Sequence, residues 1–252
     1  MTQLKLVGPH APPLDLDAIN DRLTGAAPET VLAWARDTFG SSIILTSSFG
    51  ADSALMLHLV KRVIPRITVV FLDTGYLFPE TYRFAEELTE RFELDVRVYS
   101  PRITAARQEA LYGKLWEGDQ RALDLYHHIN KVEPMERALE ELQPTAWIAG
   151  LRRCQTPFRA GLRPVELQGD VYKVYPILDF TDEDVHHYMR ANDLPYHPLR
   201  VRGYRSIGDI HTTTPTEEGE DPRAGRHLGI HRECALHLPR ASKDESLKSS
   251  AL

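Results

Sequence analysis

The chain has 252 residues, a formal net charge of −6 and 42% hydrophobic residues. That apolar fraction supports a packed core and excludes an intrinsically disordered protein, while the mild acidity speaks against non-specific nucleic-acid binding, which leaves a basic footprint. The two cysteines, Cys154 and Cys234, form neither a disulfide framework nor a short metal-ligand pair. In chain order, the first 14 residues carry three prolines and no apolar h-region, so residues 1–25 read as an N-terminal arm without a signal peptide. Helical patterning over residues 28–38 leads to a β-rich run, Ser42 to Thr46, then a polar loop, Ser47 to Ser53, and a helix to Arg62. A second strand, Ile67 to Leu72, closes on Asp73-Thr74-Gly75, and Pro79 opens a helix to about Arg91. Val96 to Tyr99 is a third strand. Helices follow over 103–112 and 118–142, with Pro134 breaking or starting one of them. Ala146 to Gly150 is a fourth strand and Val171 to Leu178 a fifth; Thr181 to Asp184 then caps a helix ending near Asn192.

Alternating strands and helices predict an α/β domain over residues 26–200, a mostly parallel sheet with helices on both faces. Ligands in such sheets bind beyond the carboxyl ends of the strands, where Ser47–Ser53, Asp73–Gly75 and Gly150–Gln155 are the polar candidates. From Val201 the pattern fades, and residues 201–252 read as a flexible C-terminal segment. No run is long and apolar enough to span a membrane, so the expectation is a soluble, cytoplasmic protein.

Two stretches carry chemistry. Ser47-Ser48-Phe49-Gly50-Ala51-Asp52-Ser53 joins a strand to a helix, a geometry that aims backbone N–H groups at an anion; an ordinary capped turn would read the same way. It has no Gly-Lys-Ser/Thr ending and is not a Walker loop. Cys234 lies in a segment, Arg223 to Arg240, with four arginines, three histidines and one acid, Glu233. Such surroundings favour the thiolate and attract a polyanion, although a lone cysteine is more often a small buried hydrophobe.

Together these pieces resemble the phosphoadenylyl-sulfate reductase family, within the adenine-nucleotide α-hydrolase (PP-loop) fold. Ser47-Ser48-Phe49-Gly50 resembles its modified PP-loop, and Asp73-Thr74-Gly75 the strand end that frames adenosine. Lys131-Val132-Glu133-Pro134 and Gly150-Leu151-Arg152-Arg153 resemble internal signatures, and Arg232-Glu233-Cys234-Ala235-Leu236-His237 the motif bearing the nucleophile. The likeness runs from about residue 30 to 238 with the motifs in order. It implies that the Cys234 thiolate attacks the sulfur of a bound phosphosulfate, leaving an S-sulfocysteine that reduced thioredoxin or glutaredoxin resolves to sulfite. Ser53 joins the loop contacts, and Lys131, Arg152, Arg153, Arg223, Arg226 and Arg232 neutralise the anionic groups. His237, three residues after Cys234, reaches the thiolate or sulfate on a helical turn. Relatives are often homodimers.

Members that reduce adenosine 5′-phosphosulfate generally carry a [4Fe–4S] cluster on a Cys-Cys pair before the Lys-Val-Glu-Pro segment and on Cys-x-x-Cys after Ser-Ile-Gly. Here those stretches read Tyr126-His127-His128-Ile129-Asn130 and Ser206-Ile207-Gly208-Asp209-Ile210-His211-Thr212, so the expectation is no cluster and a 3′-phosphorylated substrate. The pairs His127-His128 and His186-His187 diverge on a helix and predict no metal site. Cys154 stands where the family has an acid, and Ala235 where it has glycine. Three rival readings remain: cluster-free reduction of adenosine 5′-phosphosulfate, an ATP pyrophosphatase of the same fold, and a nucleotide-sensing module.

Overall fold

The computed structural model describes residues 13–217 and 219–226 together with Leu236. In chain order the elements are α1 (Leu16–Leu23), α2 (Pro28–Phe39), β1 (Ile43–Thr46), α3 (Ser53–Val63), β2 (Thr68–Leu72), α4 (Pro79–Phe92) and β3 (Asp95–Tyr99). There follow α5 (Ala105–Tyr112), α6 (Gln120–His127), α7 (Glu133–Leu142), β4 (Ala146–Ile148), α8 (Pro157–Ala160), β5 (Val165–Gln168), β6 (Val171–Val174) and α9 (Asp182–Ala191). The strands form one sheet in the order β3-β2-β1-β4-β6-β5, parallel throughout except for the antiparallel pair β5–β6.

The apolar runs of β1, β2, β4 and β6 are buried on both faces, as a sheet covered by helices requires, whereas the edge strand β3 is largely exposed. Their side chains alternate with period two. Ile43, Leu45, Val69, Phe71, Ala146 and Ile148 pack into one core beneath α2, α3, α4 and α9. Ile44, Val70 and Trp147 point the other way, into a second cluster with Met135, Ala138 and Leu139 of α7 and with Leu236. The cap expected at Thr181 is present: its hydroxyl accepts from the Asp184 N–H while the Asp184 carboxylate accepts from the Thr181 N–H.

The structure refines the sequence reading at several elements, and α8 was not anticipated. β5 was not anticipated, and the fifth expected strand ends at Val174 rather than running to Leu178. Gly169, at φ +63°, and Asp170 turn the chain tightly between β5 and β6. Over 118–142, where Pro134 was expected to break or start a helix, it starts α7: it falls in the first turn, where its missing N–H is tolerated, and a π turn, His128–Val132, joins α7 to α6. Residues 13–25, read as part of an arm, carry α1. Asn20, buried on α1, donates to the Val165 carbonyl (2.9 Å) and accepts from the Val165 N–H (2.8 Å). Its amide thus satisfies the outer backbone of an edge strand. Asn20→Ala leaves both groups buried without these partners and should lower stability by about 2 kcal/mol, read as a reduced urea midpoint at unchanged slope.

Candidate active site

Successive strands β1, β2 and β3 progress toward one edge of the sheet, whereas β4 and β6 lie beyond the other side of β1. The chain reverses its direction of progression between β1 and β4, which opens a crevice at their carboxyl ends. A cavity of about 300 Å³ occupies it, walled by residues that follow β1, β2 and β4 and closed by the 205–209 loop, Arg223, Arg226 and Leu236.

The loop after β1 is held by its own side chains. The Phe49 N–H donates to Ser47 Oγ (3.1 Å) and Ser53 Oγ donates to the Gly50 carbonyl (2.9 Å). Phe49 sits at φ +47°, a left-handed conformation costing roughly 1–2 kcal/mol for a non-glycine residue. Full burial of its ring, edge-on to Phe71 at 4.9 Å, offsets that strain. The ring therefore points into the core, and Ser47, Ser48, Gly50 and Ser53 face the cavity. Asp52 precedes α3 but makes no side-chain cap, because its carboxylate accepts from Arg200 (2.8 Å). The helix N-terminus keeps its electropositive character toward the cavity.

Among the described residues, six cationic side chains line this space, Lys131, Arg152, Arg159, Arg205, Arg223 and Arg226, against two carboxylates, Asp52 and Asp209. Arg152, 5% exposed, is steadied by Asp182 (2.8 Å) and lies 4.0 Å from Asp52. Burial pushes the Asp52 carboxyl up, and Arg200 and Arg152 counter this only in part. Lys131, on the π turn between α6 and α7, donates to Asp209 (2.8 Å), whose other oxygen accepts from the Thr74 hydroxyl (2.6 Å). Burial alone would raise the Asp209 pKa; the Lys131 ammonium, the Thr74 hydroxyl and Arg226 outweigh it and hold the carboxyl well below the ordinary range. Arg226 lies across Gly208, where a Cβ would overlap its guanidinium.

Of the residues expected to bind substrate, Ser47, Ser48, Gly50, Ser53, Thr74, Lys131, Gly150, Arg152, Arg223 and Arg226 are brought together in this wall. Phe49, Asp73, Gly75 and Arg153 are not part of it. The Asp73 carboxylate is occupied by the Tyr82 hydroxyl (2.7 Å) and the Gly75 N–H (2.9 Å), and Arg153 pairs with Asp179 and the Leu162 carbonyl. Arg232, Cys234 and His237 lie outside the described residues. Among the charged members of the wall, Arg159, Arg205 and Asp209 were not singled out from sequence. Asp209 and Thr212 occupy the Cys-x-x-Cys positions of cluster-bearing relatives, and between them His211 stacks on Trp116 (3.5 Å) and is pushed down to about 4 by burial. Among the described residues no His, Cys, Asp and Glu side chains converge as a metal-ligand set.

Residues 42–215 match the family model of the phosphoadenosine phosphosulfate reductase domain. A phosphoadenosine 5′-phosphosulfate reductase from Synechocystis sp. is 48% identical over 95% of this chain and 97% of its own length; one from Alkalilimnicola ehrlichii is 49% identical over 91% and 94%. The crystal structure of a phosphoadenylyl-sulfate reductase from Candida auris superposes with a TM-score of 0.70 at 29% identity, covering 79% of this chain and 96% of that one. An FMN adenylyltransferase from Candida glabrata, 17% identical, shares the fold at a TM-score of 0.57 over 98% of this chain and 83% of that one. With its parallel sheet and a cation-lined cavity at the strand ends, the chain belongs to the phosphoadenosine phosphosulfate reductase family of oxidoreductases.

Proposed function

We propose that this protein reduces 3′-phosphoadenosine 5′-phosphosulfate to sulfite and adenosine 3′,5′-bisphosphate, with Cys234 as the nucleophile and thioredoxin or glutaredoxin as the electron donor. The observation that carries the reading is the cavity wall, in which six cations outnumber two carboxylates among the described residues and to which Leu236 contributes. Cys234 stands two residues before Leu236 in the chain, and two residues span at most about 7 Å. A thiolate attacking a polyanion needs that excess of positive charge, since substrate and nucleophile otherwise repel each other.

The Cys234 thiolate displaces the nucleotide phosphate from the sulfo group, forming a Sγ–S bond and breaking the S–O bond to phosphate. A thioredoxin thiolate then attacks Sγ, and sulfite leaves with the electron pair of the Sγ–S bond. The second thioredoxin thiol resolves the mixed disulfide, so the dithiol loses two electrons and the sulfur gains two. Lys131, Arg152, Arg223, Arg226 and Arg232 hold the phosphate and sulfate groups, and His237 stands near the reacting thiol. The 3′-phosphate calls for a further cation, and Arg159, buried in the wall on α8, supplies one. The reaction runs without an iron–sulfur cluster, because the chain has aspartate and threonine where such a cluster takes thiolates. The C-terminal segment, residues 201–252, brings Cys234 to the nucleotide and then yields it to the reductant.

Purified protein with reduced thioredoxin should release sulfite from the 3′-phosphorylated nucleotide and far more slowly from adenosine 5′-phosphosulfate. Equal rates on both would keep the chemistry and overturn the substrate assignment. No sulfite from either, with ATP–pyrophosphate exchange present, would move the protein to the ATP pyrophosphatases of this fold.

A further inference from the structure

Lys173 lies in the middle of β6, an interior strand, and is 1% exposed among the equally buried Val171, Tyr172 and Val174. A lysine is seldom placed so, because an ammonium withdrawn from water is costly unless it is firmly held. This one is held from two sides. Its Nζ sits 4.1 Å from the ring centroid of Trp147, its register partner on β4, and it donates to the Leu236 carbonyl at 2.9 Å. The Leu236 side chain packs with Ile44, Trp147 and Val171 on the same face of the sheet. α7 packs over β2 and β3 on that face, and Leu236 settles beside it toward β4 and β6. Trp147 in turn donates its indole N–H to Thr46 Oγ1 (2.8 Å), and Thr46 is both the last residue of β1 and part of the cavity wall.

We propose that Lys173 is a positioning residue, whose buried ammonium grips the Leu236 carbonyl and so fixes the segment bearing Cys234 against the sheet beside the cavity. The proposal rests on the assignment of Cys234 as nucleophile. Lys173 itself is absent from the cavity wall, so its role runs through Leu236 and not through substrate. A carbonyl–ammonium bond is a suitable fastening here. It is strong while buried, and it is replaced by water on both partners when the segment withdraws, which a reductant needs in order to reach the thiol. Trp147 and Thr46 tie the same fastening to the start of the anion-binding loop.

The test compares the full-length wild type with Lys173→Met, which keeps the apolar stem, and with Lys173→Arg, which keeps the charge. Alkylation of Cys234 by iodoacetamide, followed by peptide mass spectrometry with Cys154 as internal reference, should be about tenfold faster in Lys173→Met, the equivalent of one charge-assisted hydrogen bond. The single-turnover rate of S-sulfocysteine formation should fall by about the same factor, while the affinity for adenosine 3′,5′-bisphosphate stays within about twofold. Lys173→Arg should restore part of the rate. Leu236→Ala, which removes the side chain packed on Ile44, Trp147 and Val171 while leaving every charge in place, should reproduce the alkylation phenotype and decides the matter where Lys173→Met does not fold. Unchanged alkylation and turnover in folded variants would overturn the proposal, as would a loss of nucleotide affinity that accounts for the whole rate effect. If the wild type itself yields no sulfite, the functional assignment fails, yet the alkylation comparison still decides whether Lys173 holds the segment.

Discussion

Replacing Cys234 by serine is expected to take sulfite release below detection, a loss of at least about 10³-fold, while nucleotide affinity stays within about twofold. The asymmetry follows from the bond that must break in the second step. A serine hydroxyl is a poor nucleophile near neutral pH, and any sulfo group it accepted would be bound through oxygen. A thiol attacking there would find no Sγ–S bond whose electron pair could leave with sulfite. Binding is spared because the cations of the cavity wall are untouched. The check pairs a sulfite assay with isothermal titration of adenosine 3′,5′-bisphosphate. Residual turnover in the serine variant would place the nucleophile elsewhere.

Lys131→Met should damage the fold as well as the reaction. Lys131 and Asp209 are a buried pair, with side chains 12% and 1% exposed, and the carboxylate stays ionised because Lys131, Thr74 and Arg226 hold its pKa down. Removing one member of such a pair leaves a buried charge that has lost its main partner, at about 3–5 kcal/mol. The lower end applies here, since Thr74 and Arg226 remain, and thermal unfolding should drop by roughly 10 °C. Lys131→Met combined with Asp209→Asn should recover most of the melting temperature and little of the activity. Equal stability of the single and double variants would mean that Asp209 does not depend on Lys131. Recovery of activity in the double variant would show that substrate does not use the lysine charge.

Much of this arrangement was legible along the chain. The apolar runs ending in Thr46 and Leu72 are strands buried on both faces, and such runs leave few alternatives once helices flank them. The loop from Ser47 to Ser53 lies on the cavity because strand ends in this topology converge there. β5 escaped notice although its turn, Gly169-Asp170, was a readable hairpin signal: Val165-Glu166-Leu167-Gln168 is short and half polar, as an edge strand is. The π turn before Pro134 had no signal of its own, because a proline marks where a helix starts without showing how the preceding turn widens.

The site divides along the same line. The sequence by itself determined the parallel α/β architecture, the loops at its strand ends and the family motifs, since strand period, capping and turn chemistry act over a few neighbouring residues. Only the tertiary structure decided that Phe49 turns into the core, that Arg153 pairs with Asp179 outside the cavity, and that Arg159 and Arg205 face into it. Only the structure joined Lys131 to Asp209 and Lys173 to Leu236, across 78 and 63 residues of chain. A charge is placed by whichever partner best compensates its burial, and that partner is found by packing in three dimensions rather than by proximity in sequence.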